Sequence, residues 1–139
     1  MSRREAREKA MQVIFQVDVG RADPEEALRR TLGEGALDEA SAAFARELVR
    51  GTVAYLKEID GWIKRFTVDW DLERLAGVDR SILRLAIYEL LYGEDTPSSV
   101  AINEAIELAK TFNSEESGRF VNGLLDSVRL QLEERSPGG

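Results

Sequence analysis

Glu104 and Glu107 stand three residues apart, the spacing that puts two carboxylates on one face of a helix. With Glu89 as a third ligand they could form a carboxylate site for a divalent metal, although such sites usually gather ligands from several helices. The same residues also read as surface charge, because Glu107 lies three residues before Lys110. Asn103 and Asn122 sit inside apolar helical runs, where Asn is a poor choice; each is either exposed or buried with a hydrogen bond, as a tie between two helices or a ligand contact. Gly123 beside Asn122 points to close approach of another backbone. Phe112, Arg119 and Phe120 flank a short polar loop. Aromatic rings beside arginines can stack unpaired RNA bases while the guanidinium groups pair with phosphate, and core packing is the competing role for each Phe. At the amino terminus, Arg3 and Arg7 share a helical face with Arg4 beside them. They form either a phosphate-gripping patch or a solvated first turn.

Other chemistry is excluded by composition. The 139 residues include no Cys and no His. Thiolate nucleophiles, disulfides, cysteine-ligated metals and the commonest general base are therefore absent. The net charge is -7, which argues against non-specific nucleic-acid binding by the whole surface. The charge is uneven: residues 1–10 carry a local +2 and the remainder -9. The start is charged and amphipathic, unlike a signal peptide, and no uncharged run exceeds eight residues. A cytoplasmic protein with no membrane span is expected.

The elements that must position these residues are helices. Apolar spacing is three-to-four almost throughout, and only three prolines occur. The first helix starts at Ser2, with Glu5 completing a capping box, and ends at Gly20. Asp23-Pro24-Glu25-Glu26 opens a second, running to about residue 32. A long helix is expected from about 38 to 66, with Gly51 on its apolar stripe for close packing and Gly61 marking a bend. Asp69-Trp70-Asp71 interrupts, followed by a short turn over 72–75. The segment 79–92 is apolar around most of its circumference and should be the central helix. Helices over 100–112 and roughly 115–134 complete a single domain, 1–135, with 136–139 as a flexible tail.

These segments resemble the NusB transcription antitermination factors. Arg3-Arg4-Glu5-Ala6-Arg7-Glu8, with Ala10, Gln12 and Phe15, is similar to the family's first helix. The run Asp79-Arg80-Ser81-Ile82-Leu83-Arg84-Leu85-Ala86-Ile87-Tyr88-Glu89-Leu90 is similar to its central helix. Pro97 with residues 100–110, and then Phe120-Val121-Asn122-Gly123-Leu124-Leu125-Asp126, are similar to its carboxy-terminal signature. The resemblance implies an all-α fold of about seven helices packed as two helical bundles. It implies binding of boxA RNA in nascent ribosomal RNA transcripts, together with the ribosomal protein NusE, as part of an RNA polymerase antitermination complex. A homodimer of the free protein is a further expectation; catalysis and a cofactor are not implied. A related domain opens certain ribosomal RNA methyltransferases, and the chain's end at Gly139 favours the free-standing factor.

Carried over residue by residue, the resemblance implies RNA contact by Arg3, Arg4, Arg7, Phe112, Glu116, Arg119 and Phe120. It implies partner contact by Asp79, with Phe15 and Arg84 nearby. Glu5 departs from the family's richer arginine run, which implies that the partner supplies part of the RNA affinity. A purely protein-binding scaffold and a carboxylate metalloenzyme built on Glu89, Glu104 and Glu107 are the rival readings.

Overall fold

The computed structural model describes residues 3–33, 35, 37–67 and 71–135. Its helices are α1 (Arg3–Asp18), α2 (Pro24–Leu32), α3 (Glu39–Ala54), α4 (Leu56–Arg65), α5 (Gly77–Tyr92), α6 (Ser98–Phe112) and α7 (Glu115–Arg135), with a 3-10 turn at Leu72–Arg74. The expected cap at Ser2, the interruption at Asp69-Trp70 and the tail over 136–139 lie outside the described residues.

Local signals fix most helix starts. The Asp23 carboxylate accepts from the Glu26 amide at 3.1 Å, with Pro24 in the first helical turn. Asp38 accepts from the Ser41 amide at 2.8 Å and opens α3 in the same way. Ser114 caps α7 through its hydroxyl, which accepts from the Ser117 amide at 3.1 Å.

Helix α5 is the axle, as its apolar circumference requires. Residues 81–89 are buried without interruption. It packs against α1, α3 and α4 on one side and α6 and α7 on the other. Two bundles thereby share a central helix, and the buried apolar side chains form one continuous cluster across both.

The expected long helix over 38–66 is two helices. The chain breaks at Tyr55, where the amide bonds back to Gly51 and Val53 and the ring stacks on Tyr92 at 4.2 Å between centroids. Gly61 lies six positions further on, inside helix α4, and is not where the chain breaks. The break sits where the aromatic stack holds it, which glycine content does not predict. Gly51 does serve close packing: a β-carbon there would overlap the Tyr88 ring. Gly123 does not, since a β-carbon there would meet open space.

Gly51 and Gly61 therefore predict opposite responses to alanine. Gly51→Ala gains helix propensity but forces Tyr88 to move, and overpacking of about 1–3 kcal/mol outweighs the gain. Gly61→Ala meets nothing and should stabilise by about 0.5–1 kcal/mol. Thermal unfolding of the two variants should shift in opposite directions.

Candidate nucleic-acid interface

Helices α1 and α5 run antiparallel, so the start of α1 faces the end of α5. This brings Arg7 onto Glu89. The pair is bidentate, with Nε–Oε2 at 2.9 Å and Nη2–Oε1 at 2.8 Å, and the two side chains are only 4% and 3% exposed. Two charges so far from water are tolerable because each satisfies the other in fork geometry. Phe44 of α3 covers the pair: the Arg7 guanidinium carbon lies 5.2 Å from its ring centroid and that of Arg3 lies 4.2 Å away.

The three amino-terminal arginines therefore divide. The resemblance puts Arg7 in the phosphate patch; its guanidinium is largely buried in the pair with Glu89, while the residue still lines the trough beside Arg3 and Arg4. Arg3 rests on Phe44 at the surface. Arg4 reaches Glu104 of α6, Nε–Oε2 3.0 Å, yet its side chain remains 63% exposed. A surface pair of this kind holds weakly, so Arg4 can exchange its carboxylate for a phosphate. The accessible patch is Arg3 and Arg4, beside a trough of about 570 Å³ that Pro97 and Val100 help to line.

The aromatic group lies further along α6. From Glu104 to Phe112 is eight residues, about 12 Å of helical rise. Phe112 is 37% exposed. Glu116 and Arg119 are exposed, and Arg119 has no ion-pair partner among the described residues. Phe120 is half-buried and packs against the core. Its part in any RNA surface is thus shared with packing.

Asp79 locks the loop that presents this group. Its Oδ1 accepts from Asn113 Nδ2 at 3.2 Å and its Oδ2 from the Ser117 hydroxyl at 3.1 Å. Sequence reasoning missed Asn113, Ser114 and Ser117; a Ser before two glutamates at a helix start was the available signal. Gly118 allows the close approach of α6 and α7, as a β-carbon there would lie 2.9 Å from Lys110 Cγ.

Two of the three residues expected to contact a partner are buried in the chain itself. Asp79 is buried and committed to the loop. Arg84 is buried too, held by Asp60 (Nε–Oδ1 2.8 Å) and Asp18 (Nη1–Oδ1 3.2 Å). Phe15 is half-buried, beside Val19 and over Gly77, where any β-carbon would crowd both side chains.

The carboxylates of the metal reading are dispersed. Glu89 is taken by Arg7 and Glu104 by Arg4, and no three acidic side chains converge among the described residues. Asn103 and Asn122 are both exposed and bridge no helices. No helix among the described residues is long and apolar enough to cross a membrane.

Known proteins are similar to this chain in sequence and in fold. The model of the NusB family matches residues 4–129. A relative from Heliobacterium modesticaldum, named transcription antitermination protein NusB, is 53% identical over 134 residues; the match spans 96% of this chain and 65% of that protein. A solved structure of T. maritima NusB superposes with TM-score 0.87 at 42% identity, covering 93% of this chain and 91% of that one. A structure of the antitermination factors NusB and NusE in complex with dsRNA gives 0.84 at 27% identity, covering 94% and 99%.

Two predictions separate buried from exposed charge. Arg7→Ala strands the Glu89 carboxylate and should cost about 3–5 kcal/mol in a denaturant melt, whereas Arg4→Ala should stay within about 0.5 kcal/mol. Asp79→Ala leaves the buried Ser117 hydroxyl without its acceptor and releases the exposed Asn113 amide to water. It should cost about 1–3 kcal/mol and speed amide exchange over residues 113–118. Native exchange there in the variant would show that the clamp does not hold the loop.

Proposed function

The chain belongs to the NusB family, and from that premise we propose that it is a transcription antitermination factor that binds single-stranded boxA RNA of nascent ribosomal RNA transcripts together with NusE. One observation carries the reading: an acidic protein keeps Arg3 and Arg4 in solvent at one end of α6 and Phe112 with Arg119 near the other. Cations that are not buried in internal pairs remain free to displace counterions from phosphate. An exposed ring two turns away offers a face for a base.

In this reading Glu116 and Phe120 border the RNA, while Asp79 and Arg7 hold its platform in place. NusE docks on the side of α1 that carries Phe15, and strengthens a grip that two arginines alone leave weak. RNA polymerase joins through the assembled complex. The free chain stores itself as a homodimer in the cytoplasm. No step in this scheme makes or breaks a covalent bond, so the factor is not an enzyme.

Labelled boxA RNA titrated with the chain, with and without NusE, tests the proposal. Affinity should rise sharply when NusE is added. Replacing Arg3 and Arg4 by Ala should weaken binding without shifting the melting temperature, and removing each arginine–phosphate pair should flatten the salt dependence by about 0.7. RNA affinity indifferent to both NusE and the two arginines would refute it.

A further inference from the structure

Among the described residues, two depart from the rules of stable structure, and both line the same cleft. Thr52 of α3 has no surface in contact with solvent, and its hydroxyl is the one buried side-chain polar atom among the described residues without a hydrogen-bond partner. Such a hydroxyl destabilises a fold, and native structures contain few. Arg21, three residues beyond the end of α1, has φ +55° and is the one non-glycine in the left-handed region among the described residues. The Ala22 amide bonds to the Gln16 carbonyl at 3.1 Å, closing the helix end in a pattern where glycine is the ordinary choice. Unmet polar groups and strained backbone gather where a ligand is bound, because only there is the lost stability compensated.

The cleft has a volume of about 410 Å³, within the range typical of ligand pockets. Ile14 and Val17 of α1 and Val53 and Leu56, which flank the break at Tyr55, give it apolar walls. Thr52 lies behind these walls, and Arg21 is exposed at the rim. The other charges of the lining are matched: Arg84 pairs with Asp18 and Asp60, and Asp18 also with Arg80. Arg21 forms no ion pair among the described residues, so the lining has one cation to offer. A ligand that answers every feature carries an anionic group, a flat apolar body and, at the far end, a group that can both donate and accept. A phenol with a carboxylate tail has all three. Its rigid ring delivers the hydroxyl without the entropy loss of a flexible chain, and the hydroxyl can pair with that of Thr52 in either direction. An acidic segment of a partner protein would approach a surface of net charge -7, whereas a lone carboxylate needs only Arg21.

We infer that this cleft binds a small phenolic carboxylate, with its carboxylate on Arg21, its ring between α1 and the α3–α4 break, and its hydroxyl on Thr52. Val53 and Leu56, both half-buried, part at the break to admit the ring. The site shares no residue with the trough beside Arg3 and Arg4 and does not depend on the RNA-binding reading.

Amide NMR shifts of the full chain test this with three probes: para-hydroxyphenylpropionate; phenylpropionate, which lacks the hydroxyl; and tyramine, which carries an ammonium in place of the carboxylate. The first should shift amides over 14–22 and 51–57 saturably, with a dissociation constant of about 1 mM or below. Phenylpropionate should bind about five times more weakly, and tyramine about ten times more weakly or worse. Thr52→Val keeps the shape and removes the hydroxyl. It should raise the melting temperature by about 2–4 °C and bring the two propionates to equal affinity. Arg21→Asn, which the left-handed backbone accepts, should abolish the discrimination against tyramine and leave the preference for the hydroxyl. A lower melting temperature in Thr52→Val would mean that the hydroxyl is partnered in solution, and the proposal falls. Equal binding of the two propionates by the wild type, or no saturable shift at the cleft, also overturns it. A peptide of tyrosine and glutamate that binds there when the free phenolic acid does not would assign the cleft to a protein ligand and overturn the small-molecule assignment.

Discussion

The structure depends on one constraint: helix α5 lies in the middle of the molecule and carries charge that must be matched there. Asp79, Arg84 and Glu89 are all buried on it. A buried charge without a partner costs several kcal/mol, so each dictates what lies opposite. Glu89 takes Arg7 of α1, Arg84 takes Asp18 of α1 and Asp60 of α4, and Asp79 takes Asn113 and Ser117 beside the start of α7. Apolar packing would accept many registers of these helices. The matched charges select one, and that register sets where the surface arginines and rings emerge.

The chemistry of the surface follows from this division of labour. An acidic body repels nucleic acid at long range, so any RNA grip must be local and cooperative. Arg7 is held in its pair with Glu89. By holding α1 against α5 it sets the direction in which Arg3 and Arg4 leave the helix, one over Phe44 and one toward α6. Asp79 does the same for the turn beyond Phe112. The exposed side chains and the buried ones that aim them are distinct, although they alternate along the same short motifs.

Much of this was legible in the sequence, and the misses have physical reasons. The helical period, the Asp caps at 23 and 38 and the demand for a glycine at 51 are properties of neighbouring residues, and they read directly. The burial of Arg7 had a signal: it stands at i, i+4, i+7 spacing with Met11 and Ile14, on the apolar stripe itself. Its positive charge beside two other arginines masked that position. The break at Tyr55 had no local signal, because the ring that stacks on it, Tyr92, is 37 residues away. For Asn103 and Asn122 the residue type left exposure and a buried helix tie both open, and both face solvent.

By itself the amino-acid order determined that the chain is helical, where most helices begin, and which one is central, since propensity, capping and apolar period act over a few residues. Tertiary structure alone decided which charges are buried supports and which remain free. The distinction between Arg7 and Arg4 arises because Glu89 and Glu104 arrive from distant helices, one inside the core and one at its edge. Solvation energy, which separates a structural ion pair from a binding site, is a property of that three-dimensional surrounding and not of residue type.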